Sequence, residues 1–255
     1  MNRLTFLGTG TSQGVPMIGC RCEVCMSNDY RDKRLRSSVL VEMDNQTTIV
    51  IDSGMDFRYQ MLRESVIQLD AILLTHEHKD HIGGLDDVRA FNYFLKKGID
   101  VYAEERVVKV LKKDFDYAFD PMPYPGVPEL QIHNIDLQPF SINNIAIQPI
   151  RGYHHKLPVL GFRIGSMCYI TDVNHIEQSE IDKIKGVELL VINALRRESH
   201  ISHFTLAQAL EVINTIKPRR AYLTHVSHQM GLHAVQSKEL PSNVYLAHDG
   251  LSLQF

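Results

Sequence analysis

Three histidines and two carboxylates occupy the six residues from His76 to His81, with Glu77 and Asp80 set between His76, His78 and His81. Neutral imidazole and carboxylate together are donors for zinc, manganese or iron. A solvated turn has no need of three imidazoles where Asn, Ser or Lys would serve. The cluster follows the apolar run Ala71-Ile72-Leu73-Leu74, which reads as a buried strand, and Gly83-Gly84 then breaks the pattern before a helix. A strand end of this kind can aim several ligands into one cavity. The chain holds 13 histidines, many beside Asp, Thr or another His rather than in apolar periodic runs, a placement suited to ligation or proton transfer.

A second group is made of sulfur. Cys20, Cys22 and Cys25 fall within six residues, and in a cytosolic chain that spacing indicates a metal rather than a disulfide. A structural zinc takes four ligands, so the fourth must come from far along the chain. Cys168 lies in an apolar strand pattern and reads as a small core residue. A redox Cys-x-x-Cys is the competing interpretation, but no helix start accompanies it.

The elements that must position these groups alternate along the chain. Strand patterns cover 4–7, 38–43, 47–52, 71–74 and 101–103, then 145–151, 159–164, 167–171, 189–193, 221–224, 244–247 and 251–254. Helix patterns cover 55–65, 85–94 and 104–115, and 205–216 carries Leu206, Ala209, Leu210, Ile213 and Ile216 on one face. The glycine-rich stretch Gly8–Pro16 is neither a Walker A loop nor a dinucleotide fingerprint. Asp116–Pro128, rich in Pro and aromatics, reads as a lid or binding loop, or equally as a surface-packed loop without function. His133 alternates within a strand pattern and reads as structural. Two halves of strands and helices suit an α/β architecture, a pair of packed sheets with helices outside, in a single domain over 1–255.

Net charge is −3, which disfavours nucleic acid as a partner. The local basic runs Arg31–Arg36 and Lys217–Arg220 read as solvated faces. No run of about 18 apolar residues is present, and the first strand pattern begins without a signal-peptide core, so no membrane role and cytoplasmic residence are expected.

The run from Thr75 to Gly84 resembles the HxHxDH signature of the metallo-β-lactamase superfamily, and the GTGTS opening at Gly8–Ser12 looks like that of several of its hydrolases. The resemblance implies an αββα sandwich of two mixed sheets with outer helices. It also requires a later His, Asp and His in that order. His154, Asp172 and His225 follow, each just beyond a strand pattern. By resemblance, His76, His78 and His154 hold one divalent ion, Asp80, His81 and His225 hold a second, and Asp172 bridges them; the metals would be Zn2+ or Mn2+. His155 is the alternative to His154. Asp52 is expected to support the metal loop without ligating.

A narrower resemblance joins the GTG…QGVP opening, the Cys-x-Cys-x2-Cys cluster and the closing Leu-Thr-His-Val-Ser-His-Gln. Together they look like the phosphoribosyl cyclic phosphodiesterases of phosphonate breakdown. That family implies a structural zinc on Cys20, Cys22, Cys25 and His228. It also implies a proton donor in the loop before the long helix, which His203 matches best and His200 next. The implied activity is hydrolysis of small, including cyclic, phosphodiesters by a hydroxide held on the dimetal pair. Asp80 and His203 are the catalytic residues, with His203 expected to titrate near neutrality. Ribonuclease Z is the serious alternative, but Asp116–Pro128, the candidate for its tRNA-binding arm, carries no Lys or Arg. A PQQ synthesis protein B-like protein shares the cysteine cluster. A metal-stabilised binding protein is the non-enzyme alternative, against which the complete ligand set speaks. Oligomeric state stays open, with a homodimer suggested by analogy alone.

Overall fold

The computed structural model describes residues 1–122 and 124–255; Pro123, within the expected lid or loop, lies outside the described residues. Among the described residues, two seven-stranded sheets pack face to face. The first is built from β1 (Arg3–Gly8), β2 (Ser38–Glu42), β3 (Thr48–Ile51), β4 (Ala71–Leu73), β5 (Ile99–Ala103), β6 (Leu130–Asn134) and β14 (Ser252–Gln254). Its order is β14-β1-β2-β3-β4-β5-β6. The second is built from β7 (Phe140–Ile142), β8 (Ile145–His154), β9 (Leu157–Ile164), β10 (Met167–Ile170), β11 (Leu189–Asn193), β12 (Arg220–Thr224) and β13 (Val244–Leu246). Its order is β13-β12-β11-β10-β9-β8-β7.

The continuous apolar runs in the sequence arise because the central strands are covered on both faces. Side chains alternate with period two. Val39, Val41, Ile49, Ile51, Ala71 and Leu73 point into the layer between the sheets, where they meet Leu160, Phe162, Tyr169, Leu189 and Val191. Leu40, Val50, Ile72 and Leu74 point the other way, onto helices 57–63, 89–95 and 105–114. Across the molecule Cys168, Ile170, Leu190 and Ile192 face helices 178–184 and 206–216. Cys168 is thus the core residue its setting suggests. The αββα arrangement is the expected one, and no described helix is long and apolar enough to cross a membrane.

Local departures have physical reasons. The helix expected over 85–94 arrives as a 3-10 turn, Leu85–Val88, followed by an α-helix from Arg89 to Leu95. The long helix 206–216 starts at a capping box: Thr205 Oγ1 accepts from the Gln208 amide at 3.2 Å, and Gln208 accepts from the Thr205 amide at 2.9 Å. The irregular segment begins with a 3-10 turn, Asp116–Ala118, and the Tyr117 hydroxyl donates to Asp86 at 2.6 Å. Ala118 and Phe119 pack on the helix-side core, so this part behaves as a surface-packed loop.

One expectation fails. The basic run 31–36 is not a uniformly solvated face, because Asp32 and Arg34 alternate inward and are buried. Arg34 Nη1 donates to Thr9 Oγ1 at 2.8 Å and to the Ala247 carbonyl at 2.6 Å, while Nη2 lies 3.2 Å from His233 Nδ1. Asp32 accepts from the His233 amide at 2.8 Å. The run leaves the 3-10 turn Tyr30–Asp32 and makes isolated bridges at Arg34 and Arg36, a strap pinned to the C-terminal part of the chain.

β1 runs antiparallel to β2, β2 antiparallel to β3, and β3 parallel to β4, so β1 points the same way as β4. Arg3 therefore lies at the opposite end of the sheet from the histidine loop that follows β4, and β14 brings Gln254 beside it.

Candidate metal centre

The histidine cluster forms where strand ends from both sheets meet. His76 follows β4, His154 closes β8, and Asp172 and His225 lie just past β10 and β12. Asp52, Asp172 and His225 have left-handed backbones, with φ of 66°, 59° and 54°. Strained non-glycine positions of this kind persist where the surroundings over-determine them, and they gather at functional sites. The loop 76–84 is held by backbone approach. A Cβ on Gly54 would stand 1.9 Å from the Asp80 carbonyl oxygen, and one on Gly84 would stand 2.1 Å from that of Gly54. Glycine is required at both places.

Asp52 does more than buttress the loop. It is fully buried and accepts from the Thr75 amide at 2.9 Å, the Thr75 hydroxyl at 2.9 Å and His81 Nδ1 at 2.7 Å. Thr75 Oγ1 also lies 2.9 Å from His76 Nδ1. With its hydrogen given to Asp52, the hydroxyl accepts from His76. One carboxylate thus fixes the tautomers of two imidazoles and leaves their Nε2 atoms as donors to a metal.

Those atoms converge. His76 Nε2 lies 3.0 Å from His78 Nδ1, and His81 Nε2 lies 3.2 Å from Asp80 and 3.3 Å from Asp172. His154 gives Nδ1 to the Ser202 carbonyl at 2.9 Å, which turns its other nitrogen inward. His155 is exposed and lies outside these groups, so His154 is the histidine that the structure brings in. His225 Nδ1 stands 3.1 Å from Asp172. Asp172 takes part in three compact groups: with His76 and His81, with His154 and His203, and with Asp80 and His225. His78 stands at the exposed rim, its ring centroid 5.2 Å from that of His154.

The charges are unbalanced toward a cation. Burial disfavours the Asp80 and Asp172 carboxylates, but neighbouring histidines outweigh it and hold both well below the usual range. Burial likewise opposes a proton on His81, yet Asp80, Asp52 and Asp172 drive its pKa well above the ordinary value. His76, His78 and His225 are pushed down, in each case chiefly by burial. A proton on His81 thus occupies the place where positive charge is wanted. His81 Nε2 and His203 Nδ1 are buried without a hydrogen-bond partner among the described residues. Orphaned imidazole nitrogens, the two carboxylates of Asp80 and Asp172, and neutral histidines fit divalent metal.

His203 is buried, 4.8 Å ring to ring from His225, 4.5 Å from His154 and 5.0 Å from His200. Burial first, and His225 second, push its pKa down to about 3. The near-neutral titration expected from sequence is not met, because the ring is buried and, second, lies among other imidazoles. His200, more exposed, lines the same cavity of about 240 Å³ with Gln13, Arg196, Ser227 and Gln229. None of the described residues of the 116–128 segment lines that cavity.

The sulfur group assembles as well. Sγ of Cys20 and Cys22 lie 3.4 and 3.2 Å from His228 Nδ1, and Cys25 completes a compact group of four. The Cys25 amide and then His228 hydrogen-bond Cys22 and lower its pKa to about 6, whereas burial raises Cys25 to about 11. Three thiols and one imidazole make a closed donor set for tetrahedral zinc. His225 and His228, three residues apart, tie one group to the other.

Sequence reasoning did not find Ser37, whose hydroxyl lies 3.1 Å from His225 Nδ1, or the buried His233. Nothing local marks the serine; period-two alternation from Asp32 would have placed Arg34 inside.

Comparison with known proteins places the chain in a class. The model described as Beta-lactamase superfamily domain matches residues 47–226, and the chain belongs to that superfamily. Within it, the likeness is to the PhnP family. A solved structure described as a new diphosphatase from that family shares 37% identity at a TM-score of 0.93, covering 100% of this chain and 98% of that one. Zinc-bound PqqB from Methylobacterium extorquens, at 17% identity and a TM-score of 0.78 over 99% of this chain and 100% of that one, shares the fold. An octanoyltransferase of Porphyromonas gingivalis is 42% identical over 98% of this chain and 51% of its own length. Coenzyme PQQ synthesis protein B of Methylorubrum populi is 30% identical over 47% of this chain and 48% of its own. The chain thus spans about half, or its match covers about half, of these curated relatives.

Proposed function

We propose that the chain is a metal-dependent hydrolase of phosphorus esters that acts on small phosphodiesters, cyclic ones included. The observation that carries this is the membership of Asp172 in three ligand groups, the arrangement a carboxylate shared by two ions requires. His76, His78 and His154 would hold one ion and Asp80, His81 and His225 the other, with Asp172 common to both. Cys20, Cys22, Cys25 and His228 would hold a separate structural zinc. When bound, the catalytic pair supplies Lewis acidity and a water of lowered pKa.

The chain's own residues do the rest. Thr171 donates to Asp172 at 2.6 Å and fixes the shared carboxylate. Ser202 and Thr75 set the tautomers of His154 and His76. His203 faces both Asp172 and the 240 Å³ cavity, the place for a departing alcohol. It starts as a neutral imidazole; a phosphodiester anion beside it offsets the burial and restores the proton it must give.

A second reading is hydrolysis of a diphosphate anhydride, favoured by the likeness to the PhnP-family diphosphatase that is 37% identical to this chain. Both reactions break a P–O bond and both use the same residues. Octanoyl transfer is not favoured, because the match accounts for half of the protein bearing that name and the name can belong to the other half.

The deciding experiment loads the protein with zinc or manganese and compares bis-p-nitrophenyl phosphate, a nucleoside cyclic phosphate and a dinucleoside diphosphate. Metal-dependent turnover of the first two, abolished by His76→Ala and Asp172→Ala, supports the diesterase. Turnover of the third alone supports the anhydride reading. No turnover of any by a fully metallated protein sinks both.

A further inference from the structure

We propose that Arg106 is a positioning residue of the histidine cluster, spanning the seam between the two sheets and setting the gap between His76 and His78 on one side and His154 on the other. This rests on the proposal that these three histidines share an ion. Glu77 sits between His76 and His78, and its carboxylate pairs with Arg106 Nη1. Nη2 of the same guanidinium donates to the backbone carbonyl of Pro158 in β9. Glu77 belongs to the loop after β4 of the first sheet, and Pro158 to the second.

A second arm runs beside this one. Glu104 lies 3.7 Å from Arg106 and grips both terminal nitrogens of Arg151, Nη1 at 2.9 Å. Arg151 stands three residues before His154 on β8. Two routes of alternating charge and hydrogen bonds therefore join the metal loop to the strands around His154. The four side chains are 14–29% exposed, so solvent and salt screen them less than an open surface pair. A backbone bond from Leu160 to the Thr75 carbonyl, 3.0 Å, crosses the same seam, but it leaves the direction of the Glu77 segment free.

The chemistry explains why arginine stands here. A planar fork can hold a carboxylate and a carbonyl at once in fixed directions, which a lysine ammonium on a flexible stem cannot. Isolated ion pairs add little to stability. Outer partners of metal ligands, by contrast, change metal affinity by about 10–100-fold.

The test compares wild type with Arg106→Met, Arg106→Lys and Glu77→Gln. Zinc and manganese affinities are measured by competition with a chromogenic chelator, and urea midpoints are measured on the metal-free proteins. Arg106→Met and Glu77→Gln should each weaken one of the two cluster ions by about 10-fold or more, with Arg106→Lys between them and wild type. Zinc on the cysteine group and the metal-free urea midpoint should not change. Affinities within twofold of wild type overturn the proposal. So does a weakening that appears equally at the cysteine group or that tracks a fall in the metal-free midpoint. Wild type that takes up no ion at the cluster overturns both this proposal and the one beneath it. Wild type that binds ions but turns over no phosphoester removes the functional reading alone, and the affinity comparison still decides for or against Arg106.

Discussion

Replacing Asp52 with Asn tests whether one buried carboxylate governs the ligand tautomers. The change keeps the shape of the side chain and removes one acceptor. If the amide oxygen stays on the Thr75 amide, now 2.9 Å away, its NH2 faces His81 Nδ1 at the present 2.7 Å. His81 must then accept at Nδ1 and carry its proton on Nε2, the atom 3.2 Å from Asp80 and 3.3 Å from Asp172. A protonated nitrogen cannot ligate. If the amide flips, its NH2 meets the Thr75 N–H, and a buried donor is left unpaired at a cost of about 1–3 kcal/mol. Bulk water does not reach either arrangement, since Asp52, Thr75 and His81 are fully buried. Thr75 can still donate to the remaining oxygen, so His76 is spared. The expected result is selective: the ion proposed at Asp80, His81 and His225 weakens by about 10–100-fold, or about 1.4–2.7 kcal/mol, while the other proposed ion stays. Chelator competition with zinc and manganese, read as two separate binding phases on a protein shown folded by circular dichroism, gives the answer. Two ions bound with wild-type affinity would refute the reasoning.

Four further outcomes are expected. Cys25→Ser should remove one zinc of about three per chain, counted by atomic emission, and lower stability while the cluster keeps its ions. Gly54→Ala, which drives a Cβ into the Asp80 carbonyl, should cost about 1–3 kcal/mol in urea unfolding and displace the metal loop; an unchanged midpoint with full metal content contradicts the close approach. His203→Gln should slow hydrolysis of alkyl phosphodiesters by about 10²–10⁴-fold but affect p-nitrophenyl esters much less, since a good leaving group needs no proton; equal losses would remove His203 as the acid. His233 is lowered to about 4 by burial first and Arg34 second. A depressed histidine favours the folded state fully above the unfolded value near 6.5 and loses that contribution as pH falls toward 4. Asp249, raised to about 6 by burial, works with opposite sign, so the difference between wild type and His233→Asn is the quantity to measure. That difference should fall by about 1–2 kcal/mol from pH 7 to 4; a flat difference contradicts the burial of His233.

How far the sequence could be read depended on the range of each signal. The six residues from His76 to His81 declare themselves because ligand chemistry is local, and the strands before His154, Asp172 and His225 are marked by apolar runs. Cys20, Cys22 and Cys25 announce a metal, but their partner His228 is 203 residues or more away, and spacing carries no such information; resemblance supplied it and the fold brings the four together. The buried Arg34 was missed because a run of charges hides a period of two, and charge alone outweighed pattern. The depressed His203 was missed for another reason: a pKa depends on burial first and then on which neighbours the fold gathers, and neither the burial of His203 nor its closeness to His154, His200 and His225 is written in local sequence. Glu77 lay in plain view between two histidines of the cluster, yet its partner Arg106 sits on a helix whose charged face looked like any solvated one.

The pairing of β14 with β1 has an architectural consequence. Arg3 and Gln254 lie side by side at the end of the sheet remote from the strand ends that carry the histidines. A polypeptide continued past either one leaves the fold on the far side from the cavity, and both continuations depart from the same corner. Another folded unit can therefore be spliced to the front or the back of this one without shading the cavity beside His203. The relative of which this chain matches only 51% is a molecule that such a corner permits. Modularity of this kind is a property of strand direction, written in the sheet order before any linker is chosen.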